Sequence, residues 1–235
     1  MKRRFYAANV TLGPVILGER EAHHARDVLR LQNNDPVLLF DGKGTIGEGV
    51  LSEVNKDRVA CRVESLSSEK KRDRSIAIAV AFPKGARSAF MVEKCAELGI
   101  ERLIPLICER TVTVPSKSKI ERHRRIAQEA ARQSRQGSAM AITEPGTLAD
   151  ILKKSAEWGT IVLAAPGAVS ENRGTGWGER GSTLILVGPE GGFTEKEVTT
   201  IRNAGATEHH LGEQILRTET AAIALAATAY LIGHQ

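Results

Sequence analysis

The sequence predicts an α/β fold in which a mainly parallel sheet, with helices on both faces, follows a small and mostly β module. Three observations lead to this fold class. From residue 75 onwards, apolar runs of strand length alternate with helical patterns, as in parallel sheets built from β-α-β units. Before residue 67, the apolar runs are short and are separated by turn residues. Residues 67–74 are polar throughout, so they are the best candidate for a linker.

The first predicted domain, residues 1–70, contains short strands and one helix. The strands are expected in an apolar run at residues 35–40 and in alternating patterns at residues 48–54 and 58–63. A turn is expected at residues 41–44, where two glycines and an aspartate come together. The helix is expected around residues 19–31. This domain is therefore predicted to be a small β module.

The second predicted domain, residues 75–235, alternates strands and helices. Strands are expected at residues 75–81, 102–107, 160–165, 183–187 and 208–211. Helices are expected at residues 86–98, 119–136, 147–156, 195–204 and 219–232. Ligands of such sheets bind at the carboxyl ends of the strands, so the loops that follow strands are the candidate sites.

The composition is that of a folded globular protein. The chain has 235 residues, of which 41% are hydrophobic and 26% are charged. No apolar stretch approaches the roughly 18 residues that a membrane helix needs. The basic N-terminus also lacks the apolar segment of a secretion signal. We therefore expect a cytoplasmic protein without a membrane partner.

Basic residues are concentrated in one segment. The net charge is +5, and the stretch from Arg110 to Arg135 holds eight Lys or Arg against two Glu. Such a cluster favours contact with the phosphates of a nucleic acid. A solvated helix face is the alternative interpretation.

Neither a metal site nor a disulfide framework is predicted. The three cysteines have no CxxC spacing. The adjacent pairs His23-His24 and His209-His210 have no Cys or carboxylate partners at the spacing of metal ligands. No GxSxG motif indicates a nucleophilic serine. The chemistry is therefore expected to come from other residues.

Two of the loops that follow predicted strands are rich in glycine and proline. At residues 163–168, an apolar strand runs directly into Pro166 and Gly167. Residues 186–193 place three glycines and a proline before a helix whose start has the spacing of a capping box. The second loop is unsuited to phosphate, because Phe193 replaces the Lys of a P-loop and Glu190 adds a negative charge. A cationic ligand, or a neutral ring approached closely by the backbone, fits it better.

A third loop, residues 211–221, concentrates charge at a strand end. Glu213, Arg217 and Glu219 occur within seven residues, where unpaired charges near a core are expensive. We expect them to have a functional role, with an ordinary Arg–Glu pair at a helix start as the alternative.

These segments resemble a known family. LVGPEGGFTEKE and LGEQILRTETAAIAL are similar to the two signature loops of the RsmE family of SPOUT methyltransferases, and FPKGARSAFMVEKCAELGIERLIPLICERTV is similar to the start of its catalytic domain. RRFYA, HHARDVLRLQNNDPV and LFDGKG resemble its PUA-like RNA-binding domain. One departure is Asn34 in place of the family's usual Gly, which is tolerable because Asn accepts the left-handed conformation.

The resemblance implies a homodimeric enzyme with a deep trefoil knot in its SPOUT domain, which binds S-adenosylmethionine and forms N3-methyluridine in the 16S rRNA of the small ribosomal subunit. The implied cofactor-binding residues are Leu163, Ala165, Pro166, Gly188, Pro189, Glu190, Gly191, Leu211, Gly212, Ile215, Leu216, Thr220 and Ala221. The candidate RNA-binding residues are Arg3, Arg4, Arg26, Arg30, Lys84, Arg87, Arg110, Arg124, Arg132 and Arg135.

Arg217 and Glu219 are the predicted catalytic residues. Uridine N3 is a poor nucleophile until it loses its proton, so Arg217 would stabilise the developing anion. Glu219 would orient Arg217 or take part in proton removal. Two alternatives stay open: a SPOUT enzyme for another RNA site or a ribose 2′-hydroxyl, and a non-catalytic dimeric RNA-binding protein. The apolar C-terminal helix would pack in the core or, as the resemblance implies, at a dimer interface.

Overall fold

A computed structural model describes residues 2–68, 74–134, 136–165 and 181–232 of the chain. The chain forms two compact units: Met1–Lys71 with Ala131–Ala139, and Arg72–Ala130 with Met140–Gln235. The sequence-based domain limits, 1–70 and 75–235, stay predictions. Nothing in the sequence indicated that Ala131–Ala139 would join the first unit. Residues 69–73 of the predicted linker lie outside the described residues.

The first unit is built on a five-stranded sheet. Its strands are β1 (Arg3–Tyr6), β2 (Gly13–Ile16), β3 (Pro36–Phe40), β4 (Thr45–Val54) and β5 (Val59–Ser68). The order across the sheet is β1-β3-β4-β5-β2, with β1 and β3 parallel and the other neighbours antiparallel. The small, mostly β module predicted for this region is therefore confirmed.

The predicted helix at residues 19–31 is shorter than expected. The α-helix α1 covers Glu19–His23, and a π-helical turn, His24–Val28, continues it. Arg30 then has a φ of 53°, a left-handed conformation that no right-handed helix continues through. The tolerance expected of Asn34 is also observed, since its φ is 71°.

The core of the first unit lies on one face of its sheet. Phe5, Leu39 and Leu51 are fully buried and belong to one apolar cluster with Ala25 of the helical segment. The returning segment Ala131–Ala139 joins the same unit through the backbone: Gly44 N donates to Gly137 O at 3.0 Å, and Ala139 N donates to Gly42 O at 3.0 Å.

The second unit alternates strands and helices. Its strands are β6 (Arg74–Val80), β7 (Arg102–Ile107), β8 (Ala141–Ile142), β9 (Gly146–Thr147), β10 (Thr160–Ala165), β11 (Gly181–Val187) and β12 (Thr207–His210). Its helices are α2 (Ala86–Glu97), α3 (Lys117–Gln133, the last three residues of which belong to the first unit), α4 (Leu148–Leu152), α5 (Glu195–Asn203) and α6 (Thr218–Ile232). A 3₁₀ turn, Ser155–Glu157, follows α4 and completes the predicted helix at residues 147–156.

All strands of this sheet are parallel, as predicted. The order is β12-β10-β11-β6-β7-β8, and β9 pairs with β7. Ile76, Ile78 and Val80 of β6 pack with α2, α3 and α6 on one face, whereas Ala77 and Ala79 pack with α4 and α5 on the other. Helices therefore cover both faces. No helix in the described ranges has the length and apolarity to cross a membrane.

Candidate active site

A cavity of about 510 Å³ lies at the carboxyl ends of β10, β11 and β12. These strands are neighbours in the sheet, so the loops that follow them start side by side. Residues from the described parts of all three loops singled out in the sequence line this cavity. Parallel sheets bind ligands where adjacent strands end, and this cavity lies at the edge where the sequence predicted a site.

Most of the predicted cofactor-binding residues line the cavity. They are Leu163, Ala165, Gly188, Pro189, Glu190, Gly191, Leu211, Gly212, Ile215, Leu216 and Ala221. Thr220 does not line it, because its side chain is exposed on the first turn of α6. Pro166 lies outside the described residues.

Sequence reasoning missed several lining residues. They include Phe193, Val198, Arg202, Glu208, His209, Gln214 and Thr218. Glu208 and His209 lie on β12, whose place next to β10 could not be known before the strand order. Arg202 reaches the cavity from α5 and forms an ion pair with Glu208 at 2.5 Å. Only Phe193 carried a usable signal, since it directly follows the glycine pair.

Glycine is required at two positions of the loops. A Cβ on Gly188 would lie 3.1 Å from the ring atoms Cδ2 and Cε2 of Phe193. Gly212 has a φ of 121°, a conformation that side chains disfavour. A residue other than glycine would therefore push the Phe193 ring aside or strain the third loop.

Hydrogen bonds hold the loop after β11 in place. The predicted capping box is present: Thr194 N donates to Glu197 Oε2 at 2.9 Å, and Glu197 N donates to Thr194 Oγ1 at 3.3 Å. Glu197 Oε1 also accepts from Glu109 N at 2.8 Å, and Arg110 Nη1 donates to Gly191 O at 2.7 Å. Glu109 and Arg110, which follow β7, thus hold the glycine loop and the start of α5 in place.

Charged groups meet where the glycine loop approaches α6. Arg87 Nη1 lies 3.6 Å from Glu190 Oε1 and 3.8 Å from Glu219 Oε1. Glu219 is only 6% exposed, and its Oε2 has no hydrogen-bond partner among the described residues. Arg217 is exposed and forms no ion pair with the described part of the chain. The partner of Glu219 is therefore Arg87, and the alternative of a simple Arg217–Glu219 pair is wrong.

Comparisons with known proteins identify the family. A family model described as an RNA methyltransferase domain matches residues 69–230, and one described as an RNA methyltransferase PUA domain matches residues 17–64. The chain is 31% identical over 228 residues to ribosomal RNA small subunit methyltransferase E of Bacillus subtilis, which covers 92% of this chain and 89% of that relative. The chain belongs to the RsmE family of RNA methyltransferases.

Solved methyltransferase structures share the fold along almost the whole chain. Ribosomal RNA small subunit methyltransferase E of Neisseria gonorrhoeae, solved with S-adenosylmethionine bound, aligns with a TM-score of 0.77 at 27% identity and covers 99% of this chain and 98% of its own. A Legionella pneumophila methyltransferase, also solved with that cofactor, aligns with a TM-score of 0.76 at 25% identity and covers 98% of both chains.

His209 is a titratable group in the cavity of this RsmE family member. Burial lowers the pKa of its imidazole, and the neighbouring His210 lowers it further. His209 is therefore neutral near pH 7 and adds no positive charge to the pocket. Within the ranges that the structure describes, no group of three or more His, Cys, Asp or Glu side chains is arranged to hold a metal ion.

Several of the arginines proposed to bind RNA are engaged within the protein. Arg26 binds Asp27 and the carbonyls of Asn55 and Lys56. Arg124 pairs with Glu121 and Glu144 and donates to Ile142 O. The guanidinium carbons of Arg132 and Arg4 lie 3.7 and 5.4 Å from the ring centres of Tyr6 and Phe40. These contacts within the protein support a structural role for all four arginines.

The remaining candidates differ in availability. Arg3, Arg30 and Lys84 are exposed. Arg87 pairs with Glu190, and Arg110 donates to Gly191 O, so both contact the glycine loop. Arg135 lies outside the described residues.

Proposed function

We propose that this chain transfers a methyl group from S-adenosylmethionine to N3 of a uridine in 16S rRNA. The observation that carries this proposal is the meeting of three loops around one cavity in a chain of the RsmE family. A purely RNA-binding role leaves the convergence of these loops unexplained. No observation favours a ribose hydroxyl or another RNA over the base that the family methylates.

The residues of the cavity fit S-adenosylmethionine. Leu163, Leu211 and Leu216 provide apolar surface for an adenine ring, and the glycine loop offers backbone groups at close range. Two carboxylates also line the cavity, and each is paired with an arginine: Glu190 with Arg87, and Glu208 with Arg202. When bound, this cofactor supplies a methyl group already activated by its sulfonium.

The catalytic burden on the protein is the N3 proton of uridine. Arg217 is exposed and free of ion pairs within the described residues, so its guanidinium is available to stabilise the uridine anion. Neither Arg217 nor Glu219 lines the cavity, and Glu219 Oε2 is buried without a hydrogen bond to any described residue, so a role of Glu219 in proton removal requires that RNA binding expose this oxygen. Arg87 holds the same carboxylate through Oε1, so Arg87 positions Glu219, whereas no ion pair in the described residues lets Glu219 orient Arg217.

Replacement of Arg217 tests this assignment. Arg217→Ala is expected to lower the turnover of 16S rRNA by roughly 100-fold or more, because it removes charge stabilisation from the transition state. Calorimetry should find the affinity for S-adenosylmethionine nearly unchanged. Lys153→Ala, an exposed cation paired with Asp150, is the matched control. Equal losses of turnover and cofactor affinity would make Arg217 a structural residue.

Identification of the modified nucleoside tests the function itself. Mass mapping of rRNA from a strain that lacks this chain should find one uridine unmethylated, and restoring the chain should return the methyl group. Methylation of a ribose instead of the base would overturn the proposed reaction.

The setting of the reaction is also part of the proposal. We propose that the enzyme is a cytoplasmic homodimer, that its substrate is rRNA within the small ribosomal subunit, and that its SPOUT domain contains the trefoil knot. Large apolar side chains exposed on two helices, Phe90 on α2 with Tyr230 and Leu231 on α6, support a dimer.

A further inference from the structure

The second unit has another cavity, separate from the active site. It also measures about 510 Å³ and lies between the first turns of α2 and α3. No carboxylate of the described residues lines it, and its polar side chains are those of Ser88, Ser118, Lys119, Arg122 and His123. It shares no lining residue with the active-site cavity.

The charge around this cavity is positive and uncompensated. Lys119 and Arg122 form no ion pair with any residue that the structure describes. Neither α2 nor α3 has an acidic residue in its first turn, where the helix dipole would favour one. The N-cap of α2 is Gly85, which offers no side chain to the first N–H groups of the helix. Positive charge and free donors therefore face the same space.

His123 is a second and independent sign of a ligand. Its side chain lines the cavity and is only 2% exposed, and its Nδ1 has no hydrogen-bond partner among the described residues. Nε2 lies 3.2 Å from Ser88 Oγ, whose own proton is donated to Gly85 O at 3.0 Å. Nε2 is thus the protonated nitrogen, and Nδ1 is a buried polar atom left unsatisfied, which native proteins rarely tolerate.

We propose that this cavity binds a backbone phosphate of the RNA substrate, held by Lys119, Arg122 and the first N–H groups of α2. The phosphate would pair with the two cations and the uncapped helix start, and the 2′-hydroxyl of the adjoining ribose would donate to His123 Nδ1, an acceptor that phosphate oxygens cannot satisfy. The inference rests on the proposed function, because it takes RNA as the substrate. It also explains why Arg124, which is occupied by two carboxylates, need not contact RNA.

Paired substitutions on α3 test the site. The double variant Lys119→Gln and Arg122→Gln should bind the substrate RNA at least tenfold more weakly, and the log–log slope of its salt dependence should fall by about 0.7 to 0.9, as expected for the loss of one phosphate contact. The matched control is Lys117→Gln with Arg125→Gln, which removes the same charge from exposed positions of α3 outside the cavity. Cofactor affinity and thermal melting should be unchanged in both proteins. If the double variant has a lower melting temperature than the wild type, the two single substitutions are measured in its place.

The His123 ring provides a readout that does not depend on activity. Its imidazole NMR signals should shift on titration with substrate RNA, and inorganic phosphate should compete. Suppose that inorganic phosphate binds in the cavity but that the test and control variants bind RNA with equal affinity. This result would assign the cavity to a free phosphate compound and overturn the RNA assignment. No shift with either ligand would overturn the site altogether. Since methylation by the wild-type protein is measured separately, failure here is distinct from failure of the proposed function.

Discussion

Arg87 links two carboxylates that belong to different loops of the active site. It lies within 4 Å of both Glu190 and Glu219, and Glu219 is almost fully buried. A buried carboxylate that loses its cation is costly, whereas a neutral amide in its place is not. The energy of the Arg87 contact is therefore conditional on the charge of Glu219.

A double-mutant cycle measures this dependence. Arg87→Gln should lower the free energy of unfolding by about 1–2 kcal/mol, a value discounted because Arg87 is itself partly exposed. In a Glu219→Gln background, the same change should cost much less. Urea unfolding of the four proteins gives the coupling, with Lys84→Gln as an exposed control of equal charge change. Equal costs in both backgrounds would mean that the two residues do not interact.

His123 makes stability depend on pH. Burial, together with the nearby charges of Lys119 and Arg122, lowers the pKa of its imidazole to about 4. The unfolded chain, with a pKa near 6.5, binds a proton at higher pH than the folded chain does. The contribution of the neutral His123 ring to the free energy of unfolding is therefore fully present above pH 6.5. It is lost as the pH falls towards 4.

Unfolding at two pH values checks the sign. Between pH 7 and pH 4.5, His123 should account for about 2 kcal/mol of lost stability, and His123→Gln should lose that much less than the wild type. His209 has a lowered pKa as well, so His209→Gln is the comparison variant. A wild type and a His123→Gln protein that lose equal stability over this range would contradict the assignment.

The sequence predicted the backbone of the active site better than its side-chain pairs. Gly188 and Leu211 were found because turns and strand ends have local signatures. The pair of Arg87 with Glu219 was not, because the two residues are far apart in the chain and meet only in the folded sheet. His209 was missed for the same reason, since the position of β12 beside β10 has no local signature.

Helix α5 is the element that positions the glycine loop. Its capping box satisfies the first turn, and Glu197 reaches beyond its own helix to Glu109 N. Loss of a side-chain cap typically costs about 1 kcal/mol. Because the cap adjoins Phe193, any fraying of α5 would also disturb the packing on Gly188.

Thr194→Val removes the hydroxyl that caps α5 and keeps the shape of the side chain. The variant should lose about 1 kcal/mol of stability and should bind S-adenosylmethionine several-fold more weakly. The control is Thr199→Val on the same helix, where the hydroxyl only donates to Glu195 O. Calorimetry and urea unfolding give the two numbers. Equal losses of stability and cofactor affinity in both variants would show that the Thr194 cap does not position the glycine loop.

At the level of elements, the prediction succeeded where apolar runs have clear ends. The bounds of β7 and β10 agree with the sequence pattern: charged residues stand just outside the apolar run of β7, and glycine or proline flanks β10. The two-residue strands β8 and β9 were not predicted, since two residues display no periodicity. Helix α1 was predicted too long because an arginine gives no local signal for the left-handed conformation that Arg30 adopts.

For the whole molecule, the most informative surface belongs to α6. One side of this helix is core, with Ala222, Leu225 and Ala226 fully buried. Near its end, however, Leu231 is 63% exposed although the helix is apolar along almost its entire length. Exposed apolar side chains on such a helix are typical of an interface between protein chains. Core packing therefore applies to one side of α6, and the exposed side is where the proposed dimer interface would lie.

Leu231→Glu tests the proposed dimer. Because Leu231 is exposed in the single chain, the substitution should leave the fold of each chain intact and should place a charge in the interface, where it is unpaired. Sedimentation should therefore find dimers for the wild type and monomers for the variant at micromolar concentration. Leu12→Glu is the matched control, since Leu12 is 61% exposed in the first unit. A wild type that sediments as a monomer, or a variant that stays dimeric, would place the interface elsewhere or remove it.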